Sequence, residues 1–423
     1  MSAGLQARVR VRQGEFQLDA GIEVARGGVL AVVGPNGSGK STLLRCIAGL
    51  TRPEQARIHL AGRPVTDTAA GMHVPAAQRR IGLLAQEARL FPHLSVLENV
   101  AFGPRSNGHR AGAARRLART WLERVGMSGF ARRRPAALSG GQAQRIALAR
   151  ALAAEPEMLL LDEPLAALDA QSAPQIRQLI AEQVRSSGTT TVLVSHNVLD
   201  AVVLADRIAV LHEGTVAERG PVTEVLSRPR TPFTAALTGT NLLPAVVHAH
   251  DPLQVETGWG RWQAATPATD SQQQEQQREI PVGQECLVRV RPDALELHEQ
   301  RPAGANSFAA TVRWLEPAEG GARVRLAGEL LAQVDLAAAD PHWLYPGAQV
   351  WVQVPPQAVQ VGPAHSGRAQ VEPADRGGTH VEPAQPDRAH VRSARAGHDS
   401  EAGSSCGSDS SGACSVLDGR SGR

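Results

Sequence analysis

Residues 29–50 read VLAVVGPNGSGKSTLLRCIAGL. The first five, Val29 to Val33, are a short apolar run rich in β-branched side chains, the pattern of a strand buried on both faces. Thr42 to Leu50 reads as a helix. Between them, Gly34-Pro35-Asn36-Gly37-Ser38-Gly39-Lys40-Ser41 is a complete GxxxxGK[ST] loop. When strand, loop and helix follow in this order, the loop N–H groups and the helix N-terminus form a cradle for an anion. The glycines let the backbone close around phosphates, and Lys40 supplies a point charge to the β- and γ-phosphates of a nucleotide. The Ser41 hydroxyl is placed to ligate Mg2+. Lys40 is the only lysine among 423 residues, in a chain whose other cations are arginines.

Outward from this loop, short apolar runs alternate with helical segments as far as about Arg230, among them MLLLDEP (158–164) and TTTVLVSH (189–196). Buried β-runs alternating with helices predict parallel strands between layers of helix, the doubly wound α/β class. Met158 to Glu163 is a buried strand ending in two carboxylates. Asp162, at the strand end facing the cradle, is suited to hold Mg2+, and Glu163 to polarise an attacking water. On its own a DE pair after an apolar run reads equally well as a solvated strand end; a P-loop a little over a hundred residues upstream favours the catalytic reading.

Leu138-Ser139-Gly140-Gly141-Gln142 precedes an amphipathic helix, AQRIALARALAAE. Its glycines and Ser139 form a second helix-capped anion site. This segment resembles the signature sequence of the ATP-binding cassette (ABC) family, and the likeness extends over about residues 8–235. The resemblance implies a P-loop nucleotide hydrolase fold with a helical subdomain (about 87–150) and head-to-tail pairing with a second copy. In that pairing Ser139, Gly141 and Gln142 close over the partner's ATP, and Asp169, in Ala167-Leu168-Asp169, lies at the dimer interface. It implies that Gly34 to Thr42 bind the phosphates, that Ser41, Gln86 and Asp162 hold Mg2+, and that Lys40, Gln86, Glu163 and His196 serve hydrolysis. Gln86 also relays to membrane subunits, and His196 contacts the γ-phosphate. A lone histidine after a strand is otherwise a structural residue more often than not. Phe16 is the only aromatic before Gly34. It is either the adenine-stacking residue or a core residue of an edge strand.

Composition narrows the remaining choices. The net charge of +3 is too small over this length to make nucleic acid the main partner. Four scattered cysteines without a CxxC pair suggest reduced thiols rather than a disulfide framework or zinc site. No apolar run approaches the roughly 18 residues of a membrane span. MSAGLQARVRVRQGEF alternates arginine with valine, which reads as an exposed strand and not as a secretory signal, so a cytoplasmic location is expected. Residues 105–134 hold nine arginines against Glu123 alone. That is a solvated helix face or, more sharply, a surface that docks a membrane subunit.

After about Gly239 the pattern changes to alternating segments, ECLVRVRPDALEL, AATVRWLEP, ARVRLAG and AQVWVQV, which predict a small all-β domain over 239–361. SQQQEQQRE (271–279) reads as a polar loop within it. From 362 to 423, with a VEPA repeat at Val371 and Val381, too little apolar surface remains to offset ordering entropy, and a disordered tail is expected. GTNLLPAVV, RVRPDALEL and residues 306–361 resemble the oligonucleotide-binding-like (TOBE/Mop-like) modules of bacterial importer ATPases. With TDTAAGMHVPAAQRRIGLLAQEARLFPHLSV they are most similar to the ATPase subunits of molybdate importers. The resemblance implies ATP and Mg2+ as cofactors. It implies permease membrane subunits as partners and, indirectly, an extracytoplasmic oxyanion-binding protein. The chain would sit peripherally on the cytoplasmic face of the bacterial membrane, and an oxyanion could bind the β-domain itself. Sulfate, iron and polyamine importers share these modules. A soluble cassette of translation or DNA repair would carry two cassettes or a long coiled-coil insertion, and neither occurs. A purely regulatory oxyanion module fits the C-terminal part alone and leaves Lys40, Asp162, Glu163 and His196 unexplained.

Overall fold

The structure is a computed structural model that describes residues 3–265, 280–318, 321–335 and 342–364. The polar segment 271–279 and the expected tail beyond residue 364 lie outside these residues.

The N-terminal part of the chain is built on an eleven-stranded sheet: β1 (Ala3–Gln13), β2 (Phe16–Ala25), β3 (Val29–Val33), β4 (Gln55–Leu60), β5 (Arg63–Asp67), β6 (Met72–His73), β7 (Ile81–Leu84), β8 (Met158–Asp162), β9 (Thr190–Val194), β10 (Arg207–His212) and β11 (Thr215–Pro221). Its order is β6-β5-β4-β1-β2-β11-β10-β3-β9-β8-β7. β10, β3, β9, β8 and β7 run parallel, as the alternating pattern predicts. β1, β2, β4, β5 and β6 form an antiparallel wing. β1 lies between β2 and β4, so it is exposed on one face only: Val9 and Val11 are buried while the intervening arginines face solvent. β2 likewise has a neighbour on each side, so Phe16 does not stand on an edge strand.

Eight helices accompany these strands among the described residues: α1 (Lys40–Ala48), α2 (Val96–Ser106), α3 (Ala111–Arg124), α4 (Gly140–Ala153), α5 (Ser172–Ser187), α6 (Val198–Leu204), α7 (Val222–Ser227) and α8 (Pro232–Thr238). Successive residues of a strand point to opposite faces. β8 uses both: Leu159 and Leu161 enter a core with Val100, Trp121 and Ile146 of α2, α3 and α4, whereas Met158 and Leu160 enter one with Leu43, Ile47 and the antiparallel wing. This two-sided burial is why β3, β8 and β9 show no alternation of apolar and exposed polar residues. On α3, Ala114, Ala118, Trp121 and Leu122 are buried at helical spacing, while Arg115, Arg116 and Arg119 face outward. Arg115 and Arg105 pair with Glu98, so the arginine-rich stretch is in part a solvated face braced by its own acid.

The described residues between 241 and 363 form two antiparallel five-stranded sheets. One, from β12 (Asn241–His250), β13 (Leu253–Thr257), β14 (Gly260–Ala264), β15 (Glu285–Val290) and β21 (Gln360–Pro363), has the order β14-β13-β12-β15-β21. The other, from β16 (Glu296–His298), β17 (Ser307–Ala318), β18 (Gly321–Leu326), β19 (Leu331–Val334) and β20 (Gln349–Gln353), has the order β16-β20-β17-β18-β19. They share one core, in which Trp262 stacks on Phe308 at 5.5 Å. No helix among the described residues is long and apolar enough to cross a membrane.

Candidate functional site

β3, β9, β8 and β7 are consecutive in the sheet, and every one of them ends at residues singled out in the sequence. The loop Gly34–Ser41 follows β3, Ser195 and His196 follow β9, Asp162 closes β8 with Glu163 next, and Gln86 lies two residues beyond β7. Asp162 is in register with Val194, and Leu161 with Leu84, so these positions line one crevice at the carboxyl ends of the strands.

Gly34, Gly37 and Gly39 all have positive φ. A Cβ on Gly34 would collide with the carbonyl of Leu211, and one on Gly39 would come within 3.0 Å of the Phe16 ring. Phe16 therefore packs directly on the loop. Ser38 is buried and its hydroxyl oxygen has no hydrogen-bond partner among the described residues. Lys40 is buried at the start of α1, where Nζ donates to the carbonyls of Gly34 (2.9 Å) and Pro35 (2.8 Å). An ammonium has three protons, so one remains for a ligand. Burial lowers the Lys40 pKa, while Glu163 and Asp162 act in the opposite direction. Pro35 and Thr42 are half-buried, and Asn36, Gly37 and Ser41 are exposed at the rim.

Asp162 is buried, and its Oδ1 has no partner among the described residues. Burial raises its pKa; a hydrogen bond with Ser41 opposes this, Glu163 adds to the rise and Lys40 counters it. A desolvated carboxylate oxygen beside a serine hydroxyl is an oxygen donor set of the kind Mg2+ takes, so the residues fit that ion. Glu163 occupies a left-handed conformation (φ 51°), uncommon outside glycine, while its N–H donates to the carbonyl of Val194 at 2.9 Å. Its Oε2 lies 2.7 Å from Nδ1 of His196, whose imidazole is otherwise exposed. The sequence names both residues but not their direct contact.

Ser139 caps α4 in a reciprocal box: the Gln142 N–H donates to Ser139 Oγ (3.3 Å), and the Ser139 N–H donates to Gln142 Oε1 (3.0 Å). The Ser139 hydroxyl proton is left to donate outward. A Cβ on Gly141 would meet the carbonyl of Ala167 at 2.9 Å, whereas Gly140 has open space. Gly141 is thus required for packing against the segment that carries Asp169. Asp169 accepts from the N–H groups of Gln171 and Ser172 and from the Ser172 hydroxyl, which together hold its carboxyl below the usual range. Gln86 is exposed.

The family model described as ABC transporter matches residues 19–166. The molybdenum import ATP-binding protein of Mycobacterium tuberculosis is 41% identical over 369 residues, 84% of this chain and 97% of that protein. The chain belongs to the ABC transporter family. A sulfate/thiosulfate import ATP-binding protein of Chromobacterium violaceum is 35% identical over 85% of this chain and 91% of its own length. An Fe(3+) ions import ATP-binding protein of Rhizobium meliloti is 40% identical over 69% and 68%. A solved dimeric bacterial ABC transporter cassette is 30% identical, covers 52% of this chain and 98% of that chain, and has a TM-score of 0.46.

Three supports of this ABC cassette escape a reading of motifs. Arg150 of α4 donates to the carbonyls of Arg89 (2.9 Å) and Ala88 (3.1 Å), tying the signature helix to the segment after Gln86. Arg79 is fully buried, and its guanidinium donates to the Cys46 and Ile47 carbonyls at the C-terminal end of α1 and to the Thr66 hydroxyl. The turn bearing His196 is braced by buried Asp200, which accepts from the Ser195 hydroxyl (2.7 Å) and from Arg177 (2.8 Å). Apart from the local Ser195–Asp200 bond, long-range folding brings these groups together. Asp200→Ala leaves Arg177 without its buried partner, so a loss of about 3–5 kcal/mol is expected in chemical denaturation of the cassette. A loss below about 1 kcal/mol would show that the brace carries little.

Proposed function

We propose that the chain is the ATP-hydrolysing subunit of a bacterial importer whose cargo is molybdate or a related oxyanion. The observation that carries the cargo is the likeness to molybdenum import ATP-binding proteins, which spans 97% of their length and so takes in residues beyond the cassette. Residues 1–238 serve as the ATPase, with a helical subdomain at about 87–150, and residues 239–361 as an appended module of the TOBE/Mop type. The chain acts as a head-to-tail dimer attached to permease subunits on the cytoplasmic face of the membrane. An extracytoplasmic binding protein delivers the oxyanion.

In this reading the loop Gly34–Thr42 wraps the phosphates and Lys40 directs its third proton to the β- and γ-phosphates. Ser41 and Asp162, with Gln86, hold Mg2+, which supplies charge neutralisation on the phosphates when bound. Glu163 orients the attacking water and accepts its proton, and the adjacent His196 donates to the γ-phosphate region and fixes the glutamate rotamer. Ser139 and Gly141 of one copy, with Gln142 and Asp169, complete the site on the other. Closure and reopening of the dimer drive the permease.

The test is ATP hydrolysis by the chain reconstituted with its permease and binding protein, with molybdate, tungstate or sulfate as cargo. Stimulation by molybdate or tungstate above sulfate is expected. Stimulation by sulfate alone would move the cargo to the sulfate class, and hydrolysis indifferent to any permease would overturn the importer reading.

A further inference from the structure

β7 is the outermost strand on its side of the large sheet and is hydrogen-bonded to β8 alone. Its four residues lead to Gln86, and so short an edge strand is weakly fixed by its own ladder. The residue that anchors its root is Arg79, two positions before the strand.

Arg79 is 0% exposed. A guanidinium has five N–H donors, and here each of them finds an acceptor. Nε donates to the Val74 carbonyl (2.8 Å), Nη1 to the carbonyls of Cys46 (3.2 Å) and Ile47 (2.8 Å), and Nη2 to the Thr66 hydroxyl (2.7 Å) and the Val65 carbonyl (3.3 Å). His73 turns Nδ1 towards Nη2 from 3.4 Å. Among the described residues no carboxylate pairs with it; burial lowers its pKa, and the Cys46 thiol opposes this. Compensation for the buried charge comes from the carbonyl end of α1, the negative pole of that helix. The slot is shaped to this side chain, since a Cβ on Gly49, which ends α1 at φ 77°, would collide with Nε.

The other ends of these elements give the fork its meaning. α1 has nine residues, a rod of roughly 14 Å, and it begins with Lys40 and Ser41. Val65 and Thr66 belong to β5, which lies towards the opposite edge of the sheet from β7, so no shared ladder links the two strands. Arg79 joins the back of the P-loop helix, the antiparallel wing and the root of the strand that leads to Gln86. We propose, on the reading in which Ser41, Asp162 and Gln86 hold Mg2+, that Arg79 is a positioning residue that fixes the spacing between Ser41 and Gln86. Lysine cannot take its place, because three donors on a flexible stem leave carbonyls of α1 or β5 unpaired. The neighbouring Arg80 offers a contrast: its pair with Glu157 at 2.8 Å is exposed and holds little.

The test is binding of AMP-PNP, a non-hydrolysable ATP analogue, to the full chain by calorimetry, once in Mg2+ and once in EDTA. The ratio of the two affinities is the gain from the metal. In EDTA the loop Gly34–Ser41 alone holds the phosphates, so Arg79→Lys should bind within about threefold of the parent chain. In Mg2+ it should lose about tenfold or more, the usual cost of removing a group that orients metal ligands. Arg80→Gln should keep the full gain. Thr66→Val removes one acceptor and no charge; it should lose about threefold of the gain, the scale of one hydrogen bond, and is the variant read if Arg79→Lys fails to fold. A parent chain with no gain from Mg2+ overturns the assignment of the metal to these residues, and the proposal with it. Where the parent shows the gain, the proposal alone is overturned if the variant read keeps it in full, if that variant loses as much in EDTA as in Mg2+, or if Arg80→Gln loses as much as Arg79→Lys.

Discussion

Glu163→Gln is expected to lower ATP turnover by about 10²- to 10⁴-fold, the usual contribution of a positioned general base, with little change in ATP affinity. The substitution keeps the size of the side chain and removes its capacity to take a proton. Glu163 is held where it is by more than its side chain: its backbone adopts φ 51°, its N–H is anchored on the Val194 carbonyl, and Oε2 meets His196 at 2.7 Å. The glutamine therefore inherits the same position, and lost turnover reports lost proton acceptance rather than displacement. Steady-state hydrolysis and nucleotide binding, measured side by side, separate the two. Turnover within a few-fold of the parent chain would remove Glu163 from the role of base.

Asp162→Asn is expected to have opposite effects on activity and stability. Turnover should collapse, because the proposed Mg2+ ligand is lost, while the nucleotide-free protein becomes more stable by about 1 kcal/mol, since the amide carries no buried charge. The sign with pH follows from the raised pKa of Asp162. The fold disfavours the anion, so stability is fully present below the ordinary carboxylate range and declines as pH rises through the higher folded value. The asparagine stands in for the protonated form, so its advantage should be largest at neutral pH and shrink on acidification. Thermal unfolding of both proteins without nucleotide at the two pH values checks this, with a gain of about 2–4 °C expected at neutral pH. A less stable variant at neutral pH would mean that the carboxylate is already compensated in the free protein.

Much of this architecture can be read from the chain, for identifiable reasons. β3, β8 and β9 are buried on both faces, so none of them alternates apolar with exposed polar residues, and the loop after β3 must carry glycines at positive φ. The order of motifs therefore predicts the crevice. In β1, alternation of valine and arginine reports which face is buried, but not that β2 and β4 occupy its two edges through backbone hydrogen bonds. Arg79, Arg150 and the Arg177–Asp200 pair are polar groups whose partners come from distant segments, and a charged residue in isolation reads as surface. Arg289 is hidden for the same reason, since RVRPDALEL gives no sign that one of its arginines is buried against Pro229.

In the proposed dimer Lys40 belongs to half of a site that Ser139 and Gly141 of a second copy complete. Sedimentation velocity of the full-length Glu163→Gln protein, with and without Mg-ATP, tests this most directly, alongside the same protein carrying Lys40→Ala. ATP should convert the first into a dimer and leave the second monomeric. A Glu163→Gln chain that stays monomeric in ATP, or a dimer that forms as readily without Lys40, would contradict it.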